Sequence, residues 1–213
     1  VEHKVIAIRN LSTSAYALKL ERKGLLFKAG QCFNIGLKNS GVNREYSIYS
    51  GENDPYLEFL IKEIKEGVVS PSLRLAAIGK EINLYGPYGS FIINPKKVKQ
   101  VQFCFISTGT GIAPFHSFVR SHQNLNYCII NGVRFLTERY DYDNYHHSKI
   151  TTCVSRQKWP GFNGRVTDYL SKMPINKKNI FYICGNQKMI QEVYELLREN
   201  KISGDQIFTE AFF

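Results

Sequence analysis

Ser107-Thr108-Gly109-Thr110-Gly111-Ile112-Ala113-Pro114 follows an apolar run containing Val101, Phe103, Phe105 and Ile106 and opens a helical pattern over 114–122. A buried strand, a glycine-rich turn and a helix start together form a setting in which backbone N–H groups can cradle a phosphate. Glycine lets the backbone approach a ligand closely, and the helix dipole favours negative charge at that end. No Lys follows the second glycine, so the turn is not the phosphate loop of nucleoside triphosphatases, and the full three-glycine dehydrogenase fingerprint is absent as well. A tight strand-to-helix turn without a ligand is the plain structural alternative.

The same rhythm continues on both sides of this turn. Candidate strands at 101–107, 127–131, 149–154, 180–184 and 206–210 alternate with helical patterns at 114–122, 165–172 and 187–200. Alternation of this kind predicts a doubly wound parallel α/β sheet with ligands at the carboxyl ends of its strands. Before it, short runs at 4–9, 15–20, 32–37, 44–50, 56–62 and 81–85 are separated by Gly, Asn, Asp and Pro, the pattern of a six-stranded antiparallel barrel. One helix interrupts the barrel near 70–77, with Ser70 as N-cap, Pro71 at the first helical position and Gly79 as the stop. Two domains are therefore expected, residues 1–96 and 97–213, in a chain long enough at 213 residues to bury two cores.

Composition narrows the function classes. Hydrophobic content of 43% with charged content of 22% argues against disorder, and no apolar run approaches the length of a membrane-spanning helix. The first residues lack a basic segment followed by an apolar one, so no secretory signal is expected. Five cysteines (Cys32, Cys104, Cys128, Cys153, Cys184) show no metal-ligand spacing, and the five histidines form no ligand set with them. No metal site is expected, and a reduced cytoplasmic setting follows from the cysteine usage. With 28 basic and 18 acidic residues the net charge is +10, which draws acidic partners at low ionic strength. No basic stripe with interleaved aromatics is visible, so nucleic acid is not the expected partner.

Two further stretches carry chemistry. In Arg44-Glu45-Tyr46-Ser47 the strand period places Arg44 and Tyr46 on one face, offering a guanidinium for a phosphate and a flat ring for stacking. Arg134, Ser155-Arg156 and Arg165 each lie near a predicted strand end, where guanidiniums suit a phosphate. Cys184-Gly185-Asn186 closes another strand; a buried cysteine there would ordinarily be inert.

Taken in this order and at these separations, the Arg44–Ser47 stretch, the glycine turn, Cys184-Gly185-Asn186 and Glu210-Ala211-Phe212-Phe213 resemble the ferredoxin-NADP reductase superfamily over nearly the whole chain. The resemblance implies an FAD-holding barrel followed by an NADP-binding α/β domain. It places Arg44 at a flavin phosphate, Tyr46 against the isoalloxazine ring and Ser47 near flavin N5. Val69 and Ser70 would meet the pyrophosphate, and the backbone of Ile61 and Lys62 the ribityl chain. Gly109, Thr110 and Gly111 would hold the dinucleotide, with Thr110 touching the flavin. Ser155 and Arg156 would grip the 2′-phosphate, which favours NADPH over NADH, while Arg134 and Arg165 either converge on the same rim of the nucleotide site or are surface charges. Cys184 would sit beside the nicotinamide, Phe212 against the second flavin face and Phe213 on the adenine, while Glu210 would relay a proton. Ser47, Cys184 and Glu210 are thus the implied catalytic residues. The activity implied is electron transfer between NADPH and a small acidic ferredoxin or flavodoxin; a monomer is favoured without the oligomeric state being fixed, and neither nucleic acid nor membrane insertion is expected. An NADH-dependent reductase component of an oxygenase system is the alternative.

Overall fold

A computed structural model of the protein describes residues 1–38 and 40–212. Its chain divides into two units, Val1–Ile93 with Ala113–Ser121, and Asn94–Ile112 with His122–Phe213.

In the first unit six antiparallel strands, β1 (Glu2–Asn10), β2 (Ala15–Glu21), β3 (Cys32–Leu37), β4 (Arg44–Ser47), β5 (Tyr56–Lys62) and β6 (Glu81–Tyr88), pair in the order β4-β3-β6-β1-β2-β5. A bridge between Ile48 and Phe59 joins the two edges and closes the barrel. Alternate residues fill the interior, as the two-residue period requires: Tyr16, Leu18 and Leu20 from β2, Phe33 and Ile35 from β3, and Leu57, Phe59 and Ile61 from β5. The stretch expected as one strand over 44–50 changes partner midway. Its first four residues pair with β3, after which Ile48 N–H donates to the Gln31 carbonyl and Tyr49 N–H to the Glu58 carbonyl on β5.

Helix α1 (Val69–Arg74) plugs one opening of the barrel with Val69 and Leu73. It begins one residue earlier and ends three earlier than the sequence suggests, and Ser70 does not cap it. The Ser70 hydroxyl accepts instead from the Ile64 N–H at 2.9 Å, closing the loop that precedes the helix. Tyr16, fully buried, donates its phenol to the Ser70 carbonyl at 2.6 Å.

Helix α2 (Ala113–Ser121) belongs to this unit too. His116 stacks on Tyr49 with ring centroids 3.8 Å apart and bonds the Tyr49 carbonyl through Nδ1 at 2.7 Å. Ser117 donates to the Ser50 carbonyl at 2.7 Å, and Arg120 grips Asp54 with two hydrogen bonds of 2.9 and 2.7 Å. Gly30, at φ +86°, must be glycine: a Cβ there would lie 1.9 Å from the Phe91 carbonyl oxygen and 2.6 Å from the Phe118 ring.

The second unit is a wholly parallel sheet of β7 (Phe103–Thr108), β8 (Tyr127–Val133), β9 (Ile150–Val154), β10 (Phe162–Asn163), β11 (Ile180–Asn186) and β12 (Ile207–Phe212), ordered β10-β9-β8-β7-β11-β12. Winding outward from β7 to β10 and then back to β11 and β12 makes it doubly wound, with the reversal between β7 and β11. Helices α3 (Val166–Leu170) and α4 (Gln187–Glu199) cover a core containing Cys104, Ile106, Phe181, Ile183, Val193 and Leu197. The opposite face carries an aromatic network of Phe103, Phe105, Tyr127 and Tyr182. Strand β10 was not expected, since two residues are too few to show a period. No helix among the described residues is long and apolar enough to cross a membrane.

Two outcomes follow for the first unit. Tyr16→Phe removes the buried phenol bond to the Ser70 carbonyl and lowers unfolding free energy by about 1 kcal/mol, read from urea titration. Burial alone would raise the Asp54 carboxyl, but Arg120 and the Gly51 N–H outweigh it and hold the group below 3.8. A depressed carboxyl stabilises the fold at higher pH and loses that contribution as pH falls through the folded value. Acid unfolding of the native chain below pH 3.8 is therefore steeper than that of Arg120→Ala, in chemical denaturation across that range.

Candidate functional site

The reversal between β7 and β11 brings two glycine turns into contact. After Thr108 the chain makes a 3-10 turn over Gly109–Ile112, and β11 ends in Cys184, Gly185 and Asn186. A Cβ on Gly111 would lie 2.4 Å from the Cys184 carbonyl oxygen and 2.8 Å from the Gly185 Cα. A Cβ on Gly185, at φ +142°, would lie 2.4 Å from Thr108 Oγ1. Thr108 Oγ1 also accepts from the Asn186 N–H at 3.4 Å. Gly109 differs: at φ +54° it has open space where its Cβ would point, so the outer rim of the turn is clear for a ligand. Thr110 is buried. Beneath the turn, Ser107 donates to the Asn131 side chain at 2.9 Å, fixing β7 against β8.

Farther along the same carboxyl edge, an open depression of about 380 Å³ is lined by Val154, Ser155, Arg156, Gln157, Lys158, Asn163 and Gly164. Ser155 N–H donates to the Val133 carbonyl at 3.0 Å, and Arg156 N–H to the Arg134 carbonyl at 3.0 Å, so the β8 and β9 ends leave the sheet side by side. Arg134 and Arg165 do not line the depression; Arg165 follows Gly164 at its edge, its N–H held by Asp168 at 2.7 Å. Lys158 and Asn163 were not singled out from sequence. Lys158 stands two residues after Arg156 in an extended loop, a spacing that could have flagged it. Asn163 had no such signal: its amide donates to the carbonyls of Trp159 and Gly161 and its oxygen accepts from the Trp159 N–H, shaping the loop. Arg44, Arg134, Arg156, Lys158 and Arg165 have no carboxylate partner among the described residues, whereas Arg9, Lys19, Arg74 and Arg120 do. The unpaired cations are thus free to meet an anion.

The buried end of β11 holds Cys184, fully buried, in register with Glu210 of β12. Burial, and then the nearby Glu210, push its thiol well above its ordinary value, so it is a neutral S–H and not a nucleophile. Phe212, half-buried, pairs with Asn186. Phe213 lies outside the described residues. No group of three or more His, Cys, Asp or Glu side chains among the described residues is placed to hold a metal ion.

In the barrel unit, Arg44 is exposed, Tyr46 packs at the rim of the barrel core and Ser47 is buried. Burial raises the Tyr46 phenol to about 12, so it stays protonated at neutral pH. Glu45, on the other face, accepts from the Cys32 thiol at 2.5 Å. Ile61 lies inside the barrel and Lys62 is exposed. Val69 and Ser70, both buried, form the first turn of α1. The structure thus gathers Arg44, Tyr46, Ser47, Ile61, Lys62, Val69 and Ser70 in one unit, and Gly109, Thr110, Gly111, Arg134, Ser155, Arg156, Arg165, Cys184, Glu210 and Phe212 in the other.

Residues 1–93 match the family model of the oxidoreductase FAD-binding domain, and residues 105–195 that of the oxidoreductase NAD-binding domain. The chain belongs to the ferredoxin-NADP reductase superfamily. It is a flavin oxidoreductase with an FAD-binding and an NAD(P)-binding domain. Two similar members differ in kind. The toluate 1,2-dioxygenase electron transfer component of Pseudomonas putida is 27% identical over 96% of this chain and 65% of its own. The flavodoxin/ferredoxin-NADP reductase of Escherichia coli is 25% identical over 90% of this chain and 87% of its own. The chain therefore spans about two thirds of the first relative's length and most of the second's. A crystal structure of a ferredoxin NADP+ reductase from Neisseria gonorrhoeae with bound FAD and NADP shares the superfamily fold at a TM-score of 0.85 and 22% identity, covering 100% of this chain and 98% of that one.

The turn geometry separates two glycine substitutions. Gly109→Ala meets no atom and costs only its left-handed backbone, about 1 kcal/mol. Gly111→Ala must push the Cys184 backbone aside, and its cost exceeds 2 kcal/mol, on the order of an overpacked core. Urea titration of the two variants reads the difference, and equal losses would contradict the close approach.

Proposed function

We propose that this reductase transfers electrons between NADPH and an acidic one-electron carrier, a ferredoxin or flavodoxin, with residues 1–96 holding FAD and 97–213 holding the nucleotide. The observation that carries the NADPH reading is the depression lined by Ser155, Arg156 and Lys158, whose two cations have no carboxylate partner among the described residues. A phosphomonoester is the ligand such a pair suits, and the 2′-phosphate is what separates NADPH from NADH. The glycine turn supports the dinucleotide: its outer rim is open at Gly109 and its inner side is fixed against β11 at Gly111.

FAD, when bound, accepts a hydride from the nucleotide and releases electrons singly, and the protein supplies orientation and electrostatics. Arg44 binds a flavin phosphate. Tyr46, protonated, offers its ring as a flat wall and its phenol as a donor, while Ser47 holds its hydroxyl at flavin N5. The backbone of Ile61 and Lys62 orients the ribityl chain, and Val69 and Ser70 meet the pyrophosphate. Gly109, Thr110 and Gly111 hold the dinucleotide, with Arg134 and Arg165 flanking the Ser155 and Arg156 phosphate site. Cys184, a neutral thiol, packs beside the nicotinamide without taking or giving a proton. Glu210 would relay a proton towards flavin N5, and Phe212 and Phe213 would cover the flavin and the adenine. Five free cysteines fit a cytoplasmic location.

The similarity to the dioxygenase component over 96% of the chain favours a second reading, an NADH-dependent reductase serving an oxygenase. Anaerobic absorbance spectra decide between them. Flavin bands that NADPH bleaches faster than NADH support the first reading, equal or faster bleaching by NADH selects the second, and a colourless chain that FAD cannot reconstitute overturns both. Arg156→Ala lowers kcat/KM for NADPH by roughly 10- to 100-fold, the loss of one charge-assisted contact, and leaves NADH within a factor of about 2. Carrier reduction by the native chain, with its +10 charge, slows as salt rises when the carrier is acidic.

A further inference from the structure

Two thiols unused by this reaction face one another across the parallel sheet. Cys104 on β7 and Cys128 on β8 are register partners, and both belong to the apolar cluster under α3 and α4, Cys104 within it and Cys128 packed against it. Register partners on neighbouring parallel strands lie about 4.8 Å apart, inside the range of Cα separations that a disulfide spans. As register partners on neighbouring strands the two side chains leave the sheet on the same face, into one apolar cluster. Neither is in a disulfide.

Their surroundings differ in a way that assigns them separate roles. Cys128 is half-buried and Cys104 only 4% exposed. Interaction between the two thiols holds Cys128 below its ordinary value, while the same interaction and burial hold Cys104 above it. Cys128 is the accessible nucleophile and Cys104 the thiol beside it that can resolve an oxidised sulfur. Other cysteines of this unit are out of reach. Cys153 is the register partner of Gly132, four residues or about 13 Å along β8 from Cys128. Cys184 is the partner of Ser107, three residues from Cys104 and on the alternate face.

We propose that Cys104 and Cys128 are an oxidation site for hydrogen peroxide, closing to a reversible disulfide. The Cys128 thiolate attacks the peroxide O–O bond, forming an S–O bond and releasing hydroxide. Cys104 then attacks the sulfenic sulfur, the S–S bond forms as the S–O bond breaks, and the departing hydroxide leaves as water with the Cys104 proton. Overall two thiols lose two electrons and two protons, and one peroxide becomes two waters. The bond ties the starts of β7 and β8, at the ends of those strands far from Gly109 and Arg134, so it reinforces the sheet without entering the nucleotide site. A bridge between ladder partners reopens by exchange with a thiol reductant.

The test uses the full chain loaded with FAD, treated with hydrogen peroxide, denatured, alkylated and mapped by mass spectrometry. The expected result is loss of two of the five alkylatable thiols and a peptide pair joining 104 to 128, both reversed by dithiothreitol. Cys104→Ser leaves Cys128 as a sulfenic acid that dimedone traps, and Cys128→Ser leaves Cys104 free to alkylate. The native map suffices if the buried Cys104→Ser does not fold. Both thiols remaining free, a link to Cys153 or Cys184 instead, or Cys128 driven to sulfinic acid with Cys104 still alkylatable would each overturn the proposal. None of these readouts depends on which nucleotide or carrier the enzyme uses.

Discussion

The α/β unit is organised by the contact of two backbones at its topological reversal, where Gly111 lies against the Cys184 carbonyl and Gly185 against Thr108. Side chains cannot intervene there, because a single Cβ on either glycine would overlap main-chain or hydroxyl atoms. The consequence is positional. With β7 and β11 locked at their carboxyl ends, the neighbouring Gly109 is left with open space before it. A ligand arriving at this turn would meet backbone whose position is set by packing. Orientation imposed in this way costs no rearrangement when the ligand arrives, which is the form of assistance a cofactor enzyme draws from its fold.

Charge is distributed with similar economy. Several cations are committed to structure: Arg74 meets Glu63 at 2.7 Å and also bonds Asn10 and the carbonyls of Ser12 and Thr13, and Arg120 meets Asp54. The guanidiniums at Arg44, Arg134, Arg156 and Arg165 are left without carboxylates among the described residues. A net charge of +10 therefore has two populations, one that staples loops and one available to phosphates or an acidic carrier. Only the second makes binding depend on ionic strength.

The large features of both units were legible because their signals are periodic. Tyr16, Leu18 and Leu20 announce a barrel interior by alternation, and Met189, Val193 and Leu197 announce a helix face at a spacing of four. What was not legible depended on a competitor for a hydrogen bond or on a length below one period. Ser70 reads as an N-cap, yet its hydroxyl is taken by the Ile64 N–H from outside the helix. Strand β10, Phe162–Asn163, is too short to alternate. Lys158 and Asn163 were hidden for a third reason: the depression they help to line is made by a loop folded on itself, with the Trp159 indole donating to the Phe162 carbonyl at 2.9 Å, and no sequence period encodes a loop.

Helix α2 completes the barrel unit from a point in the chain beyond the start of the other unit. Tyr49 and Ser50 find their partners His116 and Ser117 at a separation of 67 residues. Contacts so distant in sequence require a long loop to be closed before they contribute, which slows folding and delays completion. During synthesis, the finished barrel strands present a bare Tyr49 ring and an unfilled groove at Gly30 until residues 113–121 arrive. A chain ending before residue 113 would lack the partners that His116, Ser117 and Phe118 supply to Tyr49, Ser50 and Gly30.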